Sequence, residues 1–261
     1  MKRLSILPNV QFCILSLSCA AISLLSPQSA TAATFELSFT PLEGIINKNL
    51  LNNAGTAIYR ANLSGVGFDI TAISVSDIIG LRGGAPGKFS GFDLDAIKIS
   101  DRLIINAEDV KTIPGLNVFD FTAEGTIFLA GSKRDPGDSI FVDYAHYFVG
   151  DDLFGSKDGI VDNDIATLGS FDANAITNEE AKGFLSLGDG GEIIFKLTER
   201  VSTASPLYIY IGEVGNNGEQ ARGRVVAIGS ATTVPEPTSL GALSLMGLYL
   251  TTRIKKKNKI T

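Results

Sequence analysis

Residues 34–40 read Thr-Phe-Glu-Leu-Ser-Phe-Thr, so apolar side chains occupy every second position of this stretch. A period of two places those side chains on one face of a half-buried strand, and residues 66–71 alternate in the same way. Further strands are predicted at residues 92–99, 118–121, 126–130, 140–147, 192–198, 207–211 and 224–228. Short strands with little helical periodicity predict an all-β domain, an antiparallel β-sandwich of jelly-roll-like architecture.

Turns, one short helix and a single uninterrupted domain are predicted between the strands and the two chain ends. Turn-forming clusters such as Asp135-Pro136-Gly137 and residues 188–191 separate them. A short helix is predicted at residues 178–182, where Thr177 is placed to cap it. No internal repeat and no linker divides residues 33–228, which are therefore predicted to form a single domain, followed by a spacer at residues 229–237.

The composition is that of a folded, acidic domain: the chain has 261 residues, 44% of them hydrophobic, and a formal net charge of −6. This hydrophobic share is sufficient for a core, and the negative charge argues against a nucleic-acid partner. Cys13 and Cys19 both lie in an N-terminal apolar run. Once that run is removed, no thiol remains for a disulfide or a thiolate metal site.

The N-terminus has the three parts of a secretory signal peptide. Lys2 and Arg3 supply positive charge, residues 12–25 form an apolar run, and Ala30-Thr31-Ala32 supplies the small-residue cleavage pattern. The apolar run is shorter than the roughly twenty residues that a membrane helix needs. We therefore predict that residues 1–32 engage the secretion machinery and are cut by signal peptidase between Ala32 and Ala33.

Cys19 raises the alternative of a lipid-modified N-terminus, because bacterial lipidated cysteines follow a short apolar box. Ser16 stands where that box needs an aliphatic residue, and the apolar run continues beyond Cys19 to Leu25. Both features argue against lipidation.

The C-terminus consists of three consecutive parts: Pro235-Glu236-Pro237, a mainly apolar segment at residues 238–252, and a basic tail. The basic residues of the tail are Arg253, Lys255, Lys256, Lys257 and Lys259. The two prolines disfavour helix and keep the motif extended. The tail stays in the cytoplasm by the positive-inside rule, so the domain between the two ends is predicted to lie outside.

Residues 238–261 are thus predicted to be a transmembrane segment with a basic cytoplasmic tail. As a helix, residues 238–252 would span about 22 Å, against a hydrocarbon core of about 30 Å. Such a marginal span suits a segment that is recognised and removed. A plain single-span tail anchor without processing is the alternative, since local thinning of the bilayer and snorkelling lysines accommodate short spans.

This tripartite end resembles the PEP-CTERM sorting signal of Gram-negative bacteria and cyanobacteria, in which Pro-Glu-Pro precedes a membrane segment and a basic tail. The resemblance implies processing by an exosortase, transient residence in the membrane, and a final location at the cell surface or outside the cell. Residues 90–97, 186–195 and 207–213 are similar to segments of PEP-CTERM ectodomains. That second similarity implies a shared sandwich architecture and no common activity.

Catalytic motifs do not fit the sequence. Residues 83–88 look like a phosphate-binding loop, but Arg82 stands where the first glycine is needed and Phe89 where Ser or Thr is needed. A turn is predicted there instead. His146 is the one histidine and has no nucleophile-elbow motif beside it. We predict a protein that is not an enzyme, with the two-carboxylate chemistry of a secreted hydrolase as an alternative.

An acidic stretch at residues 151–164 is the candidate metal site. Its carboxylates at Asp152, Asp158, Asp162 and Asp164 are the ligand type that Ca²⁺ prefers. The spacing does not match an EF-hand, so the prediction is an irregular calcium site, and the alternative is a solvated acidic loop. Asp93 and Asp95 share one strand face, where they either add to such a site or face water.

The sequence therefore predicts an exported protein of the cell surface or extracellular matrix with a structural or adhesive role. A carbohydrate-binding module is the first alternative, because sandwiches of this kind often bind sugars on aromatic platforms. Tyr144 or Tyr147 would then contact an extracellular polysaccharide, although the absence of Trp argues against it.

Overall fold

The computed structural model describes residues 33–48, 55–78, 85–135, 150–174 and 181–227. All of them belong to one compact unit, Ala32–Ile228. The predicted signal peptide, the strand at residues 140–147, most of the short helix and the whole C-terminal tail lie outside the described residues. Within these ranges no helix has the length and apolar character needed to cross a membrane.

The described residues form twelve strands, joined in antiparallel ladders. In chain order they are β1 (Ala33–Leu37), β2 (Thr40–Ile46), β3 (Thr56–Asn62), β4 (Ile70–Asp77), β5 (Asp93–Ser100), β6 (Thr126–Leu129), β7 (Ser156–Lys157), β8 (Ile160–Val161), β9 (Leu185–Ser186), β10 (Glu192–Val201), β11 (Tyr208–Val214) and β12 (Ala221–Ala227). Two short 3-10 helices, Gly87–Phe89 and Ala107–Lys111, complete the elements.

Ten strands build two five-stranded sheets. The first sheet has the order β1-β12-β4-β10-β6, the second has the order β2-β3-β11-β5-β9, and β7 and β8 form a separate hairpin. The prediction of an all-β, antiparallel fold is confirmed.

The main core consists of buried side chains from both sheets. The first sheet contributes Ile73, Val75, Ile193, Phe195 and Val225, and the second contributes Leu94, Ile97, Ile99, Ile209 and Ile211. Burying each side chain of this size contributes about 1.5–3 kcal/mol. The sheets are thus held together mainly by aliphatic packing.

The second sheet is buried on its other face as well. Ile58, Ala96 and Tyr210 pack there in a separate cluster with Val110 of the second 3-10 helix and with Phe171. Tyr210 Oη donates a hydrogen bond of 2.6 Å to the carbonyl oxygen of Arg102. Strands covered on both faces lose the alternation of polar and apolar residues. β3 was not predicted for this reason, whereas β5 and β11 of the same sheet were predicted.

Three further predictions differ from the structure. The strand at residues 66–71 begins later, at Ile70, because Gly67 has a φ of +75° and belongs to a loop. Residues 118–121 form no strand, and only Phe119 makes an isolated bridge, to Leu197. At the end of the predicted helix, Lys182 lies in an isolated antiparallel bridge with Asn174.

The two ends of the domain lie side by side. β1 and β12 are neighbours in the first sheet, and Ala33 pairs with Ala227. We call this the terminal end of the domain. The opposite end of the sheet, where Asp77 pairs with Ala221, we call the far end.

Two glycine-containing turns, at Gly91 and Gly188, contact each other at the far end. Gly91 has a φ of +75°, and a Cβ added to it would lie 2.3 Å from the carbonyl carbon of Gly188. The Gly188 N–H donates to the Ser90 carbonyl oxygen at 2.8 Å. A side chain at Gly91 would therefore separate the turn that holds Ser90 from the turn that holds Asp189.

Candidate functional site

Three carboxylates are buried at the far end: Asp93, Glu213 and Glu219 are 5%, 0% and 2% exposed. Asp93 is the first residue of β5, Glu213 lies near the end of β11, and Glu219 follows in the connection to β12. With the partly exposed Asp77 and Asp189, we call them the far-end carboxylate cluster. Burial of this many acidic groups requires compensation by cations, hydrogen bonds or protons.

Arg134 supplies the cation. Its Nε–H donates to Asp189 Oδ1 at 2.8 Å, and its Nη2 donates to Glu219 Oε1 at 2.6 Å. Its backbone N–H also donates to Ser90 Oγ at 2.9 Å. Through its guanidinium and its backbone N–H, Arg134 therefore joins residues from three separate connections.

Hydrogen bonds satisfy only part of the cluster. Ser186 Oγ donates to Asp93 Oδ1 at 2.5 Å, and Asp77 accepts from the backbone N–H groups of Phe92 at 3.0 Å and Gly190 at 2.9 Å. Among the described residues, no hydrogen bond of good geometry reaches either carboxylate oxygen of Glu213 or Glu219 Oε2, although the backbone N–H groups of Asn216 and Asn217 lie near enough to Glu213 to lower its pKa. Burying oxygens that lack such bonds carries a desolvation cost.

Burial raises the pKa of all three buried acids. The pKa of Asp93 rises well above its usual value through burial and then through the negative charge of Glu219. Burial and the same charge raise the pKa of Glu213 well above its usual value. The pKa of Glu219 rises to about 7 through burial, although Arg134 opposes the shift. The cluster therefore retains protons into the neutral range.

Asp95 is a separate buried acid on β5. It is 0% exposed, its Oδ1 accepts from the Ala173 N–H at 3.2 Å, and burial raises its pKa to about 7. A Cβ added to Gly212 would lie 2.8 Å from Asp95 Cβ, so only glycine leaves room for this side chain. Of the two alternatives for Asp93 and Asp95, exposure to water is wrong, because both residues are buried, and a contribution to a calcium site stays a prediction.

The predicted calcium ligands lie mostly on the surface. Asp158, Asp162 and Asp164 line one hollow of about 340 Å³, and Asp152 does not line it. Asp162 Oδ1 accepts the Asp164 N–H at 3.0 Å, which stabilises a turn. In the part of the chain that the structure describes, no group of three or more acidic, His or Cys side chains has a geometry that could hold a metal. The calcium site stays a prediction.

The glycine-rich segment at residues 83–88 is described from Ala85 onward. Gly87–Phe89 is a single 3-10 turn. Lys88 Nζ lies 5.0 Å from the ring centroid of Phe89 and 5.8 Å from that of Phe154. The ammonium group of Lys88 therefore lies against two aromatic rings. The 3-10 turn itself agrees with the predicted turn.

A groove of about 530 Å³ lies beside the first sheet. Phe119, Asp120 and Phe121 line one part of it, and Asn163 and Ser170 line another. The rings of Phe119 and Phe121 are stacked, with centroids 5.7 Å apart and planes inclined by 21°. Sequence reasoning assigned residues 118–121 to a strand and did not identify this surface. We call it the Phe119–Phe121 groove.

No family profile matches the chain, and comparisons with curated proteins and with solved structures give no match either. His146, Tyr144, Tyr147 and the sorting motif Pro235-Glu236-Pro237 lie outside the described residues. Ala33, the residue after the predicted cleavage, is the exposed first residue of β1.

Proposed function

We propose that this protein is exported, sorted through its C-terminal tail, and acts at the cell surface or in the extracellular matrix in a structural or adhesive role. One observation carries the proposal. β1, at Ala33–Leu37, and β12, at Ala221–Ala227, are adjacent strands of the first sheet. The described residues nearest the predicted signal peptide and the predicted spacer therefore lie side by side.

The pairing of Ala33 with Ala227 supports the proposed topology. Because these two residues lie at the same end of one sheet, the predicted signal peptide and the predicted tail would both be attached at that end, which suits two segments directed to one membrane. Pro235 follows Ala227 by eight positions, and an extended chain of eight residues reaches at most about 26 Å. The sorting motif is therefore proposed to act close to the terminal end.

The strand order supports a jelly-roll fold for the exported domain. Leaving out the edge strands β2 and β6, the two sheets read β1-β12-β4-β10 and β3-β11-β5-β9. Eight strands that interleave early and late parts of the chain in this way are typical of two linked Greek keys. The fold by itself assigns no activity.

The buried acids favour a structural role over hydrolysis. Glycoside hydrolysis needs two carboxylates that reach the substrate, whereas Asp93, Asp95 and Glu213 are each at most 5% exposed. A secreted hydrolase is therefore the weaker alternative. The carbohydrate-binding alternative gains support from the Phe119–Phe121 groove.

Export is tested by mass spectrometry of the mature protein. The expected N-terminus is Ala33, and a protein that retains residues 1–32 would contradict the signal peptide.

Sorting is tested in a host that carries an exosortase. The double variant Pro235→Ala/Pro237→Ala should leave full-length protein in the membrane fraction, because the extended recognition motif is lost. Pro206→Ala changes an exposed proline of the domain and serves as the control, with processing like that of the wild type. Unaltered processing of the double variant would refute exosortase recognition.

A further inference from the structure

The Phe119–Phe121 groove has a rigid aromatic wall. Both rings are half-buried and meet the ring of Phe195 edge to face, with centroid distances of 5.7 and 5.9 Å and interplanar angles of 81°. Phe195 is fully buried in the main core. The accessible parts of both rings are therefore held in place before any ligand binds, which lowers the entropy cost of binding.

Polar atoms at the groove are oriented but not saturated. Asp120 Oδ1 accepts from both the N–H of Thr122 at 3.0 Å and its hydroxyl at 2.7 Å. These bonds lower the pKa of Asp120 and keep it charged. Asn163 Nδ2 donates to the Phe121 carbonyl oxygen at 2.7 Å. Within the described ranges, no hydrogen bond engages Asp120 Oδ2 or Asn163 Oδ1.

The available atoms select a class of ligand. Two fixed acceptors suit a ligand with hydrogen-bond donors such as hydroxyl groups, and the aromatic wall suits apolar C–H surface beside them. The Asp120 carboxylate repels phosphate, sulfate and nucleic acid. A purely apolar partner would leave this carboxylate desolvated. A neutral sugar combines hydroxyl donors with apolar ring faces.

We propose that the Phe119–Phe121 groove binds a neutral polysaccharide, with hydroxyl groups bonded to Asp120 and Asn163 and sugar rings against the two phenylalanines. The volume of about 530 Å³ falls in the range of ligand sites, about 300–1,000 Å³. This inference rests on the adhesive role proposed above, and it specifies the ligand to which the protein would adhere.

The test uses the full chain in mild detergent, so that it does not depend on processing or sorting. Binding of neutral hexasaccharides of glucose, mannose and N-acetylglucosamine is measured by calorimetry beside a sulfated hexasaccharide. At least one neutral sugar should bind, and the sulfated sugar should bind at least tenfold more weakly. No binding of any neutral sugar at millimolar concentration, or preference for the sulfated one, overturns the proposal while leaving the sorting function intact.

Variants locate the site. Asp120→Ala and Asn163→Ala should each weaken binding at least tenfold, and Asp101→Ala, which removes an exposed acid in an ion pair with Arg102, should leave it unchanged. Circular dichroism checks that each variant is folded. Phe121→Leu keeps an apolar side chain in the core and should also weaken binding. Binding that survives these groove changes but is lost in Tyr144→Ala or Tyr147→Ala overturns the assignment to this groove.

Discussion

Two acidic regions of this domain differ in how their charge is accommodated. The loop at residues 151–164 concentrates aspartates in the sequence, and Asp152, Asp158 and Asp164 are exposed in the structure. The far-end carboxylate cluster draws Asp93, Glu213 and Glu219 from distant parts of the chain and buries them. A run of acidic residues in the sequence therefore identifies acids that stay hydrated. The acids whose pKa is raised are brought together only by the fold.

The largest expected effect is the loss of the cation that compensates the cluster. Arg134→Ala would leave Glu219, which is 2% exposed, without its ion pair, and removing one partner of a buried pair costs about 3–5 kcal/mol. Chemical denaturation at pH 7 measures the free energy of unfolding.

The matched control for Arg134→Ala is Arg102→Ala, which breaks an ion pair whose two side chains are each 66% exposed. Its expected cost is below about 1 kcal/mol, because exposed pairs contribute little. Equal losses in both variants would show that burial does not distinguish the two kinds of acid.

The second effect is a loss of stability as the pH rises. The pKa of Glu219 and of Asp95 is about 7 in the folded protein, and the usual values lie near 4. The folded state thus binds more protons than the unfolded chain between about pH 4 and pH 7. Stability should fall through this window by about 1.4 kcal/mol per pH unit for each proton retained.

Glu213→Gln tests the source of this pH dependence. Because the variant removes one buried titrating group and its repulsion of Glu219, the Tm should fall less between pH 5 and pH 8 than in the wild type. Glu192→Gln alters a partly exposed ion pair with Arg224 outside the cluster and should keep the wild-type slope. A Glu213→Gln slope equal to that of the wild type would contradict a proton-retaining cluster.

The smallest effect concerns calcium. If the loop aspartates bind Ca²⁺, a concentration tenfold above the Kd should stabilise the domain by about 1.4 kcal/mol. Replacing Asp152, Asp158, Asp162 and Asp164 by Asn should abolish the Tm shift. No shift in the wild type at millimolar Ca²⁺ would discard the loop site. If the Tm shift persists in the fourfold variant and disappears in Glu213→Gln, the cation binds at the far-end carboxylate cluster and not at the loop.

The sequence predicts strands of two kinds: those whose residues alternate, and those with a longer apolar run, such as residues 92–99 and 207–211, which coincide with parts of β5 and β11. Residues 34–40 and 192–198 alternate and coincide with parts of β1 and β10. β3 was missed because Ala57 and Ile58, adjacent in the chain, are both buried, so no period of two remains. Phe119 and Phe121 alternate like a strand, yet their rings pack on Phe195 without a ladder. Here aromatic packing, not strand pairing, produces the period.

The buried cluster was beyond sequence reasoning for a different reason. Asp93 and Glu213 are separated by more than a hundred residues, and only the pairing of β5 with β11 brings their strands together. The available signal was a lone carboxylate within an apolar run, as at Glu213 in residues 208–214. Such a residue indicates a buried acid but does not identify its neighbours.

The placement of β12 between β1 and β4 has a mechanical consequence. Residues 223–226 pair with both neighbours, and a chain attached beyond Ala227 would pull β12 along its own axis. The hydrogen bonds of an antiparallel pair run perpendicular to the strands, so tension would load both ladders in shear, all bonds at once, instead of peeling them one by one. A load applied between the end of β12 and the far end of the sheet therefore acts along both ladders and does not peel them.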